Sequence, residues 1–328
     1  MPAAIVGAAL LTAALLGACD GPRSALDPAA PEAERIAELF WWMVAGAAVI
    51  WLAVVGLTVY ALHLERRPHS LRGARLLIVG GGVVFPLVVL SGLLTYALAM
   101  LPDFLAPAPE GSLRIVVTGE QWWWRVRYLP PGGEAVDLAN EIRLPVGYPV
   151  EFQLESHDVI HSFWIPPLGR KVDMIPGRRN LLTLSPTRTG VFQGVCAEYC
   201  GTSHAFMSFA VVVHEKEDFD LWLSRQAEPA LPPREPLAAE GQELFIASGC
   251  GSCHTVRGTG ADGVVGPDLT HVGSRRTLGA GRLPNRTEDF RRWIARPDVL
   301  KPSVHMPSFA MLPKEELSAL AVYLGSLR

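Results

Sequence analysis

Cys196-Ala197-Glu198-Tyr199-Cys200-Gly201-Thr202-Ser203-His204-Ala205-Phe206-Met207 places two thiols, an imidazole and a thioether within one short loop. Soft and borderline donors of this kind suit copper better than calcium or magnesium. A further imidazole stands upstream, in Asp158-Val159-Ile160-His161-Ser162-Phe163-Trp164. A single blue-copper site needs one cysteine, two histidines and a weak axial ligand, so the second thiol argues for a binuclear centre. Two other readings stay open on these residues: a Cys196–Cys200 disulfide with satisfied histidines nearby, and zinc in a Cys2His2 site.

Around that loop the sequence is β-rich. Leu113 to Thr118, Val150 to Leu154, Asn180 to Leu184 and Phe209 to His214 are short runs separated by Pro and Gly turns, the signature of a sandwich or barrel. Residues 228–237 (EPALPPREPL) are proline-dense and read as a semi-rigid extended linker that tethers a second module. Beyond it helical signals return: Ala239 to Ser248, Thr287 to Ala295 with Thr287 as N-cap, and Glu315 to Leu327 with its Leu and Tyr stripe. Residues 238–328 therefore read as a small all-α domain.

That second module carries Cys250-Gly251-Ser252-Cys253-His254, the attachment motif of a c-type haem, in which two thiols add to the vinyl groups and the adjacent imidazole becomes the proximal ligand. A zinc or redox-thiol site is the other reading of this motif. The distal ligand is expected to be a downstream methionine, Met306 or Met311. Met306 is preferred, with Met311 in a packing role and His305 as a minor alternative, because two imidazoles would lower the potential.

Two uncharged runs, Leu39 to Leu62 and Leu76 to Pro102, are long enough to cross a bilayer. The second contains Gly80-Gly81-Gly82 and Pro86, tolerated where neighbouring membrane helices pack closely. Between them, His63 to Arg75 holds Arg66, Arg67, Arg72 and Arg75 against Glu65, which places this loop in the cytoplasm and both ends of the hairpin outside. Residues 1–18 form an apolar run ending Leu16-Gly17-Ala18-Cys19, read as a signal peptide whose lipobox makes Cys19 a lipidated N-terminus. No Lys or Arg precedes that run, so a plain signal peptide, a short membrane segment and an inert buried thiol are the other readings. The net charge of −3 offers no basic stripe for phosphates, which excludes nucleic acid as a partner class, while 49% hydrophobic content agrees with a chain partly in lipid.

Residues 36–222 resemble subunit II of cytochrome c oxidase: two membrane helices followed by a cupredoxin domain. The resemblance rests on Gln121-Trp122-Trp123-Trp124, Asp158 to Ser162, Lys171-Val172-Asp173-Met174-Ile175-Pro176-Gly177-Arg178 and the whole Cys196 to Met207 loop. It implies that Cys196 and Cys200 bridge both coppers, that His161 and His204 each bind one, and that Met207 and the backbone carbonyl of Glu198 are weak ligands. It also implies that the Glu198 carboxylate helps bind magnesium or manganese at the interface with the catalytic subunit. Trp122 matches the electron-entry tryptophan, with an exposed ring over the copper site. Trp123 and Trp124 read equally well as sandwich core. Asp173 and Arg178 look like subunit-contact or network residues, or else a turn with solvated charges. The family often carries a glutamate near the start of the second membrane helix for proton uptake. Arg72 to Leu77 offers none, so proton entry through this chain is not expected.

Val304-His305-Met306-Pro307-Ser308-Phe309 is similar to the axial loop of class I cytochromes c, and Gly266-Pro267-Asp268-Leu269 to the loop on the proximal side of the haem, where His271 reads as structural. The expected fold is thus a two-helix transmembrane hairpin (36–102), a β-sandwich cupredoxin domain (105–227) and an all-α class I cytochrome c domain. This resembles the fused subunit II of caa-type oxidases. The resemblance implies an electron-input subunit of a bacterial cell-membrane complex, with both redox modules on the periplasmic face. It would take electrons from cytochrome c or another cytochrome and pass them to catalytic subunit I, where oxygen is reduced to water with proton pumping. A copper-containing nitric-oxide reductase partner and a stand-alone membrane-tethered carrier are the competing expectations. Copper delivery would not explain the haem motif, and quinol-oxidase subunits lack these copper ligands.

Overall fold

A computed structural model describes residues 20–64 and 70–328. The signal-peptide and lipobox reading, with Cys19, and the loop residues Glu65, Arg66 and Arg67 lie outside the described residues. Two compact units are distinguished: the membrane segment, residues 35–106, and a unit that joins the residues preceding it to residues 107–328.

Helix α1 (Pro31–Val59), which belongs to the membrane unit from Arg35 onward, continues through a wider turn at Tyr60–Leu64. Helix α2 (Leu71–Arg75) opens with the Ser70 hydroxyl accepting from the Gly73 N–H, then runs through a π-wound stretch, Leu76–Val84, into α3 (Phe85–Phe104). The π-wound stretch contains the three consecutive glycines and ends just before Pro86, whose missing N–H cannot continue a regular ladder. The two helical segments, Pro31–His63 and Leu71–Phe104, span 33 and 34 residues, long and apolar enough to cross a membrane. Their Leu, Val, Ile and Trp side chains are largely exposed, as expected of surfaces that face lipid or partner helices.

The first module of the other unit is a sandwich of two five-stranded sheets. One has the order β3 (Val136–Ala139), β2 (Trp123–Leu129), β1 (Leu113–Glu120), β5 (Val150–Ser156), β8 (Asn180–Leu184); the other β4 (Glu141–Pro145), β10 (Ser208–His214), β9 (Gly190–Cys196), β6 (His161–Trp164), β7 (Val172–Met174). In β1 and β5 alternate residues are buried, the period-two pattern of strands with one face on a core. That core centres on aromatic rings: Phe163 stacks on Phe209 at 4.9 Å, and Trp124 meets Phe209 edge-on at 5.0 Å. Helix α4 (Lys216–Ala227) closes the module by burying Phe219 and Leu223.

Residues ahead of the first membrane helix complete this sandwich. The Gln193 N–H donates to Pro22 O (2.8 Å), the Thr187 N–H to Ala29 O (2.8 Å), and the Ala29 N–H to Pro167 O (2.7 Å). Ala29 and Ala30 are buried in its core, and Arg170 pairs with Glu32, in the first turn of α1, at 2.8 Å.

The second module has its own apolar core, formed by α5 (Pro236–Ala247), α6 (Thr287–Ala295) and α8 (Lys314–Ser326), with a short α7 (Pro297–Leu300). The segment 228–235 has no helix or strand, and Pro236 and Leu237 form the first turn of α5. Part of that segment is bound to the second module: the Ala230 N–H donates to Arg257 O (2.9 Å), and His271 Nε2 meets Glu228 O at 3.0 Å. Thr287 is not the N-cap expected from the sequence. The carbonyl of Arg286 already accepts the Asp289 and Phe290 N–H groups, at 2.9 and 3.0 Å, so the helix starts one residue earlier and the cap falls on Arg286.

Helices α5 and α8 cross where Gly241 lies against the backbone of Ala319. A Cβ at residue 241 would lie 2.1 Å from the Ala319 carbonyl oxygen and 2.8 Å from Tyr323 Cβ, so only glycine permits this approach. Gly241→Ala is expected to destabilise the second module by about 3 kcal/mol, read as a lower midpoint in denaturant unfolding. An unchanged midpoint would mean that the two helices do not cross here.

Candidate metal and haem sites

Strand β9 ends at Cys196 and β10 begins at Ser208, so the ligand-rich loop is a long connection between paired strands. Its base is closed by the Cys196 N–H donating to Met207 O (2.9 Å), and it is pinned sideways by the Ala197 N–H donating to Ser162 O (2.9 Å), next to His161 at the start of β6. These constraints bring distant residues together. Cys196 Sγ lies 3.7 Å from Cys200 Sγ and 3.8 Å from His161 Nδ1. Cys200 Sγ lies 3.5 Å from His204 Nδ1 and 3.8 Å from Met207 Sδ, while Cys196 Sγ is 3.2 Å from Glu198 O. A disulfide needs about 2.05 Å between sulfurs, so the Cys196–Cys200 disulfide reading does not describe this structure. Two sulfurs at this spacing, each beside one imidazole and flanked by a thioether and a carbonyl, fit two metal ions sharing both thiolates.

The second layer of contacts holds this set in orientation. His161 Nε2 is 2.8 Å from Asp158 Oδ1, which leaves Nδ1 turned toward Cys196. The other Asp158 oxygen accepts the Gln121 N–H at 2.7 Å. Gln121 Nε2 and the Trp122 indole N–H both donate to Cys200 O, at 2.7 and 2.9 Å. Burial alone raises the Asp158 pKa, yet hydrogen bonds from His161, Val159 and Gln121 outweigh it and lower it. Burial likewise lowers the His161 pKa, but its bonds to Cys196 and Asp158 raise it overall. Cys196 is pushed down, chiefly by the hydrogen bond from Cys200, and Cys200 is pushed up by that same pairing and by burial. With no cation between them, one proton stays on the thiol pair.

In the second module, Cys250 to His254 form one tight turn, with the Cys253 and His254 N–H groups on Cys250 O at 3.2 and 3.1 Å. His254 Nδ1 donates to Pro267 O at 2.8 Å, fixing the tautomer and leaving Nε2 free for an axial bond. Burial keeps this imidazole's pKa low, as a neutral ligand requires. A Cβ on Gly266 would fall 2.5 Å from the His254 ring, so a glycine is needed beneath it. The turn, its free cysteines and this support fit covalent haem attachment.

Two sequence expectations change, those for Trp122 and Met311. Trp122 is only 5% exposed, because the second module covers it, with the His305 ring 6.3 Å from its own. Trp124 is core, whereas Trp123 is partly open with Arg125 over its ring at 4.8 Å. Met311 does not pack: it is 76% exposed, in contrast to half-buried Met306. Asp173, half-buried in β7, is bonded to Lys171 at 3.2 Å, and Arg178 is exposed just after the Pro176-Gly177 turn. Sequence reasoning gave no role to Asp158, Gln121 or Lys301. For Asp158, its place three residues before His161 was the available signal, whereas nothing near Lys301 in sequence marks it.

The profile for "Cytochrome C oxidase subunit II, periplasmic domain" matches residues 129–214, and that for "Cytochrome c" matches residues 238–328. Cytochrome c oxidase subunit 2 of Alkalihalophilus pseudofirmus is 34% identical over 318 residues, covering 93% of this chain and 91% of that protein. The subunit 2 of Bacillus subtilis is 31% identical over 229 residues, covering 67% and 63%. Among solved structures, the periplasmic domain of subunit II of cytochrome oxidase of Bradyrhizobium japonicum is 36% identical, covering 37% of this chain and 97% of that one, with a TM-score of 0.34. This chain belongs to the cytochrome c oxidase subunit II family. It is the electron-input subunit of a membrane-anchored oxidoreductase complex, works alongside the catalytic subunit, and carries a copper-binding and a haem-binding domain. The relatives favour the oxidase over a nitric-oxide reductase or a stand-alone carrier.

Asp158→Asn is expected to weaken copper uptake by about 10- to 100-fold, because the amide supports His161 less well than a carboxylate. A competition titration against a chelator measures this, and unchanged affinity would remove Asp158 from the site. Uptake must also displace protons from Cys200 and His161, both raised. Affinity should therefore rise with pH between about 6 and 8, by about tenfold per unit for each proton released. A flat profile would mean that neither Cys200 nor His161 gives up a proton on uptake.

Proposed function

We propose that Cys196 and Cys200 bridge two copper ions, that His161 and His204 each bind one, and that Met207 and the Glu198 carbonyl complete the set. Cys250 and Cys253 attach one haem c, with His254 proximal and Met306 distal. The observation that carries this reading is the 3.7 Å sulfur pair with an imidazole nitrogen beside each sulfur. When bound, the copper pair and the haem supply one-electron redox chemistry. All else is done by the chain.

A hydrogen-bonded loop between paired strands, with both its thiols buried, changes shape little when local charge changes, which keeps the reorganisation cost of electron transfer low. Asp158 holds the His161 ring, and Gln121 and Trp122 hold the Cys200 carbonyl. Trp122 is read as the entry residue: its indole N–H reaches the copper loop, and its ring sits 6.3 Å from His305 of the haem module. That placement of the His305 ring beside Trp122 supports Met306, one residue on, as the axial ligand. Glu198, whose half-exposed carboxylate lies 3.5 Å from Lys171 Nζ, is read as the ligand of a magnesium or manganese ion where catalytic subunit I docks.

The proposed domain limits are the hairpin at 36–102, the copper module at 105–227, the linker at 228–237 and the haem module at 238–328. The donor is a cytochrome reaching the haem module on the outer face of a bacterial cell membrane, with the chain crossing twice. Electrons then pass by way of the copper module to subunit I, where oxygen is reduced.

Full-length protein, produced with haem-maturation machinery and purified in detergent, is expected to hold two coppers per haem, with an electron paramagnetic resonance signal showing one electron shared by both nuclei. A single copper, or zinc, would overturn the binuclear reading. Met306→Ala should leave haem attached but slow copper reduction, whereas Cys253→Ala should impair attachment itself. Copper reduction unaffected by Met306→Ala would reassign the axial ligand.

A further inference from the structure

The two soluble modules meet along a seam of specific hydrogen bonds. Ala280 O accepts both the backbone N–H of Ser208 (3.1 Å) and its hydroxyl (3.0 Å). Ser203, fully buried, donates its hydroxyl to Pro302 O, and Glu141 Oε2 accepts the Arg276 N–H at 2.7 Å. The Arg282 guanidinium lies 4.3 Å over the Phe206 ring. Each of these contacts joins the haem module to the ligand-bearing loop or to strands of the sheet from which that loop springs.

Lys301 lies at the seam and is 2% exposed. Its Nζ donates to Trp122 O, in the copper module, and to Gly279 O (3.0 Å), in its own. Among the described residues no carboxylate pairs with it, so this amine is desolvated with only two carbonyls as partners. Burial pushes its pKa down to about 7, with the Cys200 side opposing that shift and Arg282 adding to it. An aliphatic side chain of the same length would fill the space at a lower desolvation cost. What it would lack is the link to the Trp122 carbonyl. Among the described residues, that link is the one hydrogen bond between Trp122 and the haem module.

We propose that Lys301 is a positioning residue: its buried amine latches the haem module onto the backbone of Trp122 and holds the two modules in the docked arrangement through which electrons pass. The latch rests on the reading of Trp122 as the entry residue, and it acts through Trp122 rather than on either redox group. It assigns the close fit of the modules to one side chain in addition to the linker.

The test uses the full-length protein loaded with haem and copper, comparing wild type with Lys301→Met, which keeps length and removes the donors, and Lys301→Gln, which keeps a donor without the charge. The first readout is hydrogen exchange of peptides spanning residues 118–125 and 279–281. Exchange should be about tenfold faster in the Met variant, the cost of leaving the two carbonyls unpaired, and intermediate in the Gln variant. A residue that only fills space would show the reverse, since methionine packs as well or better. Protection equal to or above wild type in Lys301→Met overturns the latch. The second readout is electron equilibration between haem and copper after rapid photoreduction. Compared at equal driving force, it should slow by about tenfold in Lys301→Met, with the haem absorption bands unchanged. Faster exchange with unchanged equilibration would uphold the latch and overturn the route through Trp122, so the two ideas fail separately.

Discussion

The structure depends on one constraint: two thiols that repel a second negative charge are held side by side by backbone hydrogen bonds that do not involve them. The Cys196 N–H on Met207 O and the Ala197 N–H on Ser162 O fix the ends of the loop, and the sandwich fixes those. In the protein alone the pair keeps a proton, as the opposed shifts of Cys196 and Cys200 express. Only cations between the sulfurs make both thiolates stable at once. The fold thus prepares a site whose electrostatics are completed by its ligand, and the aromatic core of Trp124, Phe163 and Phe209 beneath it supplies the rigidity.

From that centre the polar contacts spread in one direction. Asp158 ties His161 to Gln121, while Gln121 and Trp122 tie to Cys200, and Lys301 ties Trp122 to the haem module. Along this chain of contacts, buried polar atoms find partners across strands and then across modules. Such a network is stiff because each member would be left unsatisfied if its neighbour moved. The sequence suggests a semi-rigid tether. The structure adds a specific contact, with part of the linker bound to the haem module by Ala230 and Glu228.

Much of this was legible beforehand because ligands and attachment motifs are short and chemically marked. Cys196 to Met207 and Cys250 to His254 identify themselves by composition, and the two long apolar runs by length. The strands read as Leu113 to Thr118 and Asn180 to Leu184 emerged from short β-rich runs between turn residues, and the first continues to Glu120. What the sequence hid was long-range. The covering of Trp122 depends on residues far along the chain, and the role of Lys301 depends on a carbonyl 179 positions away. The shift of the α6 cap from Thr287 to Arg286 is local but turns on backbone carbonyls, which carry no side-chain signature.

The copper module is knit from two stretches that lie on either side of the membrane hairpin. Pro22, Ala29 and Ala30 precede it, yet they bond to and pack within strands and loops that follow it. A sandwich that shares its core with residues upstream of the hairpin holds the two flanks of the hairpin together through Ala29, Ala30 and the strands that follow. Closure of the sandwich, and with it the geometry awaiting metal, therefore depends on two stretches of chain that the hairpin separates in sequence.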